Sequence, residues 1–245
     1  MKYPIIMLVY QYRKAMTAHT YIIVPAAGGG TRMQQPIPKQ YLNLAGKPVL
    51  EHTLTTLLAI PFIARVVVAL SSDDLFFNSL ASATHPRLTQ VQGGNSRASS
   101  VLNALNALST IAEPHDWVLV HDAARPLVTL KDIDHLRVTL ANHPIGGILA
   151  TPVTDTLKQS DAQLKTCLTV ARDTLWRALT PQMCRYGLLK QALSHCLNAN
   201  LGITDEAMAL ETLGQTMQIV EGSADNIKIT YPIDLLIAEQ LLLTR

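Results

Sequence analysis

The chain has 245 residues, 48% of them hydrophobic and 16% charged, which is enough for one large domain with a substantial core. A net charge of +2 with both signs scattered carries no polyelectrolyte footprint and argues against a nucleic-acid partner. The three cysteines, Cys167, Cys184 and Cys196, lie at no metal-ligand spacing, which speaks against a structural zinc and suits reduced thiols in a cytoplasmic protein.

The first segment, PIIMLVY at 4–10, is apolar but far too short to span a bilayer, and QYRK follows where a small-residue cleavage site would belong. Residues 1–20 therefore read as an extension ahead of the domain, with Met16 as an alternative start and no membrane partner expected. From there strands are expected over 21–24, 65–70, 88–91, 117–121 and 147–152, alternating with helices over 48–59, 96–109 and 130–141. Runs such as RVVVAL and WVLVH are apolar on both parities, as in central strands covered on both faces. The series predicts an α/β fold: a Rossmann-like three-layer sandwich with a mostly parallel sheet, forming a single domain over 21–245.

Residues 151–173 break the alternation. They are polar, threonine-rich and without helical period, and read as a protruding β-hairpin arm with its turn near 159–163. Helices over 185–198 and 204–213 follow, then strands over 217–220 and 226–229, and a last helix from Tyr231 with Thr230 as its N-cap and Pro232 in the first turn.

The chemistry concentrates at turns that follow strands. After the first strand, PAAGGGTRM offers Ala26, Ala27, Gly28 and Gly29 as a backbone nest for phosphate oxygens, with Arg32 as a fixed cation. Lys39, in PKQY, is a second cation for the same anion. A glycine turn with solvent-facing cations is the plain alternative. Neither the dinucleotide G-x-G-x-x-G nor the G-x-x-x-x-G-K-[ST] loop occurs, which disfavours a dinucleotide oxidoreductase. Asp122, in VHDAARP after WVLV, is placed to meet a divalent cation, and Arg125 to meet a phosphate. Glu206, in TDEA, is expected only to favour a helix N-terminus.

Read together, PAAGGGTRM, PKQY, GGNSRASSV, VHDAARP, PVTDTLK, ALTPQ, TDEA and DNIKIT resemble the nucleotidyltransferases that activate sugars and polyols. Within them the chain is most similar to the 2-C-methyl-D-erythritol 4-phosphate cytidylyltransferase family, from about Tyr21 to the C-terminus. The resemblance implies the nucleotidyltransferase fold and transfer of CMP from CTP to the polyol phosphate, with Mg²⁺ and with release of pyrophosphate, in non-mevalonate isoprenoid biosynthesis. It implies that Arg32 and Lys39 stabilise the pentavalent phosphorus, and that Gly94, Asn95 and Ser100 read the cytosine. Asn95 stands where the family often has an acidic residue. Asp122, Arg125, Thr180 and Lys228 would face the polyol phosphate, Asp122 also being the expected metal ligand. Thr156 and Arg172 would reach it from the arm of a homodimer partner; a surface pair of Arg172 with Asp173 is the alternative. Ribitol 5-phosphate as acceptor, and a non-catalytic nucleotide-binding protein on the same fold, are the competing functions.

Overall fold

The computed structural model describes residues 18–33 and 35–244, so most of the expected N-terminal extension lies outside the described residues. In chain order the strands are β1 (Thr20–Pro25), β2 (Asn43–Leu44), β3 (Lys47–Pro48), β4 (Ile63–Leu70), β5 (Leu88–Gln92), β6 (Trp117–Val120), β7 (Gly146–Pro152), β8 (Leu157–Ser160), β9 (Thr166–Val170), β10 (Trp176–Arg185) and β11 (Gln218–Glu221). The helices are α1 (Val49–Leu58), α2 (Arg97–Ala107), α3 (Leu130–Thr139), α4 (Tyr186–Asn198), α5 (Glu206–Glu211) and α6 (Pro232–Leu243).

Seven strands form the central sheet in the order β11-β7-β10-β6-β1-β4-β5. All neighbours are parallel except at β10, which runs antiparallel to both β6 and β7. β1 sits between β4 and β6, with Ile22 level with Val66 and Leu119. Its two parities explain its uniform apolarity. Ile22 and Val24 pack into a core with Leu50, Leu54 and Leu57 of α1 and Leu136 of α3. Tyr21 and Ile23 point the other way, into a core with Val101 and Leu105 of α2 and Leu189 of α4. Helices on both faces of a mostly parallel sheet make the three expected layers. A third cluster, containing Met33, Leu44, Ile229 and Ala238, seats α6 below the turn after β1.

Three expectations are corrected. The segment over 175–185, left without a strand, holds the ten-residue β10, and α4 begins at Tyr186 rather than Arg185. Pro181 masks this strand, because a proline gives no N–H to a ladder, and the β10–β7 register shifts between Ala178 and Gln182. The stretch over 226–229 is not a strand: it is an irregular segment anchored by Ile229 N–H to Ala124 O at 2.9 Å. The N-cap of α6 is Tyr231, not Thr230, and Asp234 Oδ2 accepts both of their N–H groups at 2.8 Å.

The arm is present as the β8–β9 hairpin, a two-stranded sheet separate from the central one. Its turn falls slightly later than expected, where Asp161 Oδ1 accepts the N–H groups of Gln163 and Lys165 at 2.9 Å. Among the described residues no helix is long and apolar enough to cross a membrane.

Candidate active site

The carboxyl ends of β1, β5 and β6 meet around a cavity of about 370 Å³. This is where ligands bind in open α/β sheets. Ala26, Ala27, Gly28 and Gly30 form one wall, while Gly29 is exposed and lies outside the lining. Gly30 has φ +67°, a conformation that L side chains rarely adopt, and a Cβ there would stand 2.8 Å from Lys39 Cγ. The turn therefore shapes the seat of the lysine. Lys39 Nζ donates to Ile229 O at 2.8 Å, and the neighbouring Gln40 Nε2 donates to Ala26 O at 2.7 Å. Burial pushes the Lys39 pKa down to about 8, helped by Lys228 and Arg32 and opposed by Asp122. Arg32 is exposed on a single helical turn, its guanidinium carbon 6.0 Å from the centroid of the Tyr231 ring.

The opposite wall is the loop that opens α2. Ser96 is its N-cap, accepting Ser99 N–H at 3.1 Å. Ser100 is buried and its hydroxyl is used within the loop, accepting Gly94 N–H at 3.0 Å and donating to Ser96 O at 2.9 Å. Gly94, Asn95 and Ser100 all line the cavity. Gly93 has no room for a side chain: a Cβ would stand 2.6 Å from that of Ala27, so the two loops meet at backbone distance.

Asp122 sits at the end of β6, 7% exposed, and gathers three cations. Its Oδ1 lies 3.3 Å from Arg97 Nε, while its Oδ2 lies 3.3 Å from Arg125 Nε and 2.9 Å from Lys228 Nζ. Burial alone would raise this carboxyl, but Arg97, Lys228 and Arg125 hold it well below the usual carboxylate range. Arg125 is a strut more than an open cation, since it also donates to Asn226 O at 2.7 Å and Ala178 O at 3.4 Å. Thr180 is buried behind the carboxylate. Its Oγ1 accepts Asp122 N–H at 3.1 Å and donates to His121 Nδ1 at 3.1 Å. The other ring nitrogen, Nε2, donates to Arg125 O at 3.0 Å, which fixes the tautomer. Burial pushes the His121 pKa down to about 4 and keeps it neutral.

The structure thus brings Arg32, Lys39, Asp122, Lys228 and the two loops to one cavity. Thr180 and Arg125 line a smaller, adjoining recess of about 140 Å³ that shares Arg97, Asp122 and Lys228 with the first. Thr156 and Arg172 are exposed on the arm and line neither; Arg172 donates to Thr154 O within its own hairpin, and no ion pair joins it to Asp173. Two members were missed. Arg97 lines the cavity and pairs with Glu206, which is 1% exposed. The signal was available in GGNSRASSV and TDEA, but each residue alone looks like an ordinary helix-start charge.

Among the described residues no group of three or more His, Cys, Asp or Glu could hold a metal ion. Asp122 is the one acidic residue lining the cavity. That donor set fits a magnesium ion carried mainly by substrate phosphates, because such ions are held by one or two carboxylates and keep several waters.

A sequence profile of the 2-C-methyl-D-erythritol 4-phosphate cytidylyltransferase (IspD) family matches residues 20–244. The chain belongs to this family. Relatives of that name in Vibrio parahaemolyticus and Pseudomonas putida are 54% and 49% identical, the first over 89% of this chain and 92% of its own, the second over 88% and 92%. A crystal structure of the 2-C-methyl-D-erythritol 4-phosphate cytidylyltransferase of Francisella tularensis superposes with a TM-score of 0.80 at 39% identity, covering 91% of this chain and 99% of its own. The enzyme of that name from Thermus thermophilus gives 0.75 at 30% identity, over 91% and 98%. Family membership bears out the expected α/β nucleotidyltransferase fold and the assignment as a transferase of isoprenoid biosynthesis.

Proposed function

We propose that the chain catalyses cytidylyl transfer from CTP to 2-C-methyl-D-erythritol 4-phosphate. An oxygen of the acceptor's phosphate forms a bond to the α-phosphorus of CTP, the bond from that phosphorus to the β-phosphate bridge breaks, and pyrophosphate carries away the electron pair. The nucleophile is already an ionised phosphate, so no protein nucleophile and no general base are needed. Catalysis is then positioning and charge stabilisation.

The observation that carries this reading is the charge arrangement around Asp122. Five cations (Arg32, Lys39, Arg97, Arg125 and Lys228) stand about the site with three carboxylates, Asp122, Asp205 and the buried Glu206 behind Arg97. Five positive against three negative leaves an excess suited to a triphosphate meeting a second phosphate. Arg32 and Lys39 stand on the glycine-turn side, where charge develops on the α-phosphoryl oxygens and the leaving pyrophosphate. Lys228 stands beside Asp122, where the attacking phosphate is to be held. Gly94, Asn95 and the fixed Ser100 loop take the cytosine edge. Magnesium, held by Asp122 together with the phosphates, would neutralise triphosphate charge.

The dimeric reading rests on the arm. A two-stranded hairpin standing alone in water is marginally stable, and this one leaves Leu164 86% and Leu168 57% exposed. We place a second copy of the chain against it, with the partner's Thr156 and Arg172 completing the acceptor site. We also place the reaction in the cytoplasm, which suits three free cysteines. Phosphorus NMR of a reaction with CTP, magnesium and the acceptor tests the chemistry: a cytidine diphosphate diester and free pyrophosphate are expected, and CMP with unchanged acceptor would refute it.

A further inference from the structure

Glu206 is buried, yet it meets neither the main cavity nor the smaller recess. Its two carboxylate oxygens accept from Arg97, from Nη1 at 2.6 Å and Nη2 at 3.0 Å. This bidentate fork uses one edge of the guanidinium and leaves Nε for Asp122 Oδ1, at 3.3 Å. The carboxylate is itself held from behind. Asp205 caps α5 through Met208 N–H at 2.9 Å, and Gln182 of β10 grips the same turn, donating to Asp205 Oδ2 at 3.0 Å and accepting Ala207 N–H at 2.9 Å.

Resting on the cytidylyltransfer reading, we propose that Glu206 is a positioning residue for the acceptor phosphate. Acting through Arg97, it holds the Asp122 carboxylate so that Oδ2 is presented to Lys228. A planar guanidinium takes a carboxylate most strongly with two parallel N–H groups. With Glu206 in place, that paired edge is occupied and Asp122 receives a single N–H on Oδ1. Without Glu206, the Arg97 paired edge is released to Asp122, the carboxylate turns towards it, and Oδ2 leaves Lys228. The lysine then loses its anchor 2.9 Å away, and the attacking phosphate loses its placement.

The test compares the wild type with Glu206→Gln, Arg97→Lys and the double variant, with thermal melting as the check of folding. Lysine keeps a positive charge for Glu206 but lacks the planar fork that holds both Glu206 oxygens while a separate N–H meets Asp122, so each single variant is expected to raise KM for the acceptor about tenfold while moving KM for CTP less than about twofold. Because both act through one strut, the double variant should be no worse than the poorer single one. An unaltered acceptor KM, an equal rise in both KM values, or additive effects would each overturn the proposal. If Glu206→Gln does not fold, a normal acceptor KM in Arg97→Lys overturns it. If the wild type itself releases no pyrophosphate, the functional reading fails and the strut is judged by nitrogen-15 NMR of the Arg97 Nη–H groups, which are the ones that Glu206 accepts. Those protons should exchange about tenfold faster in Glu206→Gln, as expected when their charge-assisted bonds are lost; unchanged exchange overturns the strut.

Discussion

Lys228 Nζ lies 2.9 Å from Asp122 Oδ2, joining the irregular segment before α6 to the end of β6 across the mouth of the cavity. The lysine is half-exposed and the carboxylate buried, so the lysine is the partner that can turn to a ligand. Lys228→Ala is expected to raise KM for the acceptor by about 10- to 100-fold, the value of one charge-assisted hydrogen bond, with a smaller effect on kcat. Steady-state kinetics with each substrate varied in turn checks this; a change confined to CTP would place Lys228 on the wrong substrate.

Lys39 should act on the transition state. Lys39→Ala is expected to lower kcat by about 10²–10³, as when one donor to a developing oxyanion is removed. Its pKa is pushed down to about 8, so kcat/KM should be level below that pH and fall as pH rises through it. Lys39→Arg keeps its charge and should lose that alkaline limb. The sign for stability is the reverse of a favourable pair: the buried charge costs stability at neutral pH, and the cost is relieved as pH climbs from about 8 towards 10.5.

Asp122→Asn should destabilise the fold as well as the reaction. It leaves Arg125 and Lys228 without their carboxylate and is expected to cost about 3 kcal/mol, measured by urea unfolding. The Asp122 pKa is depressed by its three cations. Its contribution is therefore present above the ordinary aspartate pKa of about 4 and is lost as pH falls through the folded value. The acid side of the stability profile should flatten in the variant.

These residues were unequally legible in the sequence. Strands β1, β4 and β6 could be read directly, because burial on both faces leaves an unbroken apolar run. β10 could not, since Pro181 and the break of register around it erase the period of two. Lys228 alternates with isoleucines as a half-buried strand would, but Ile229 is held by Ala124 O and Asn226 by Thr180 O, so no ladder forms. The Arg97–Glu206 pair spans 109 residues, and no local pattern announces it. Motif matching found Asp122, while the reason it stays ionised in a buried place appears only in three dimensions.

Gly93→Ala should harm the nucleotide side without touching a charge. The added Cβ would press on Ala27 at 2.6 Å and on Leu70 O at 3.1 Å, forcing the two loops apart. A cost of about 1–3 kcal/mol in stability is expected, with KM for CTP raised more than KM for the acceptor. Thermal melting and kinetics read the two effects separately.

The arm gives a mixing test. If Arg172 serves the partner's site, Arg172→Ala and Lys228→Ala dimers should each be weak, yet exchange of subunits should restore sites that lack both lesions. Up to about a quarter of wild-type activity per protomer is expected after complete exchange, from random pairing of closed two-fold dimers. No recovery in verified mixed dimers would confine Arg172 to its own subunit.

Pyrophosphate release measured side by side with CTP, magnesium and either 2-C-methyl-D-erythritol 4-phosphate or ribitol 5-phosphate tests the assignment most directly. Rapid, CTP-dependent release with methylerythritol phosphate and little with ribitol phosphate is expected. Release with ribitol phosphate alone, or with neither acceptor, would contradict it.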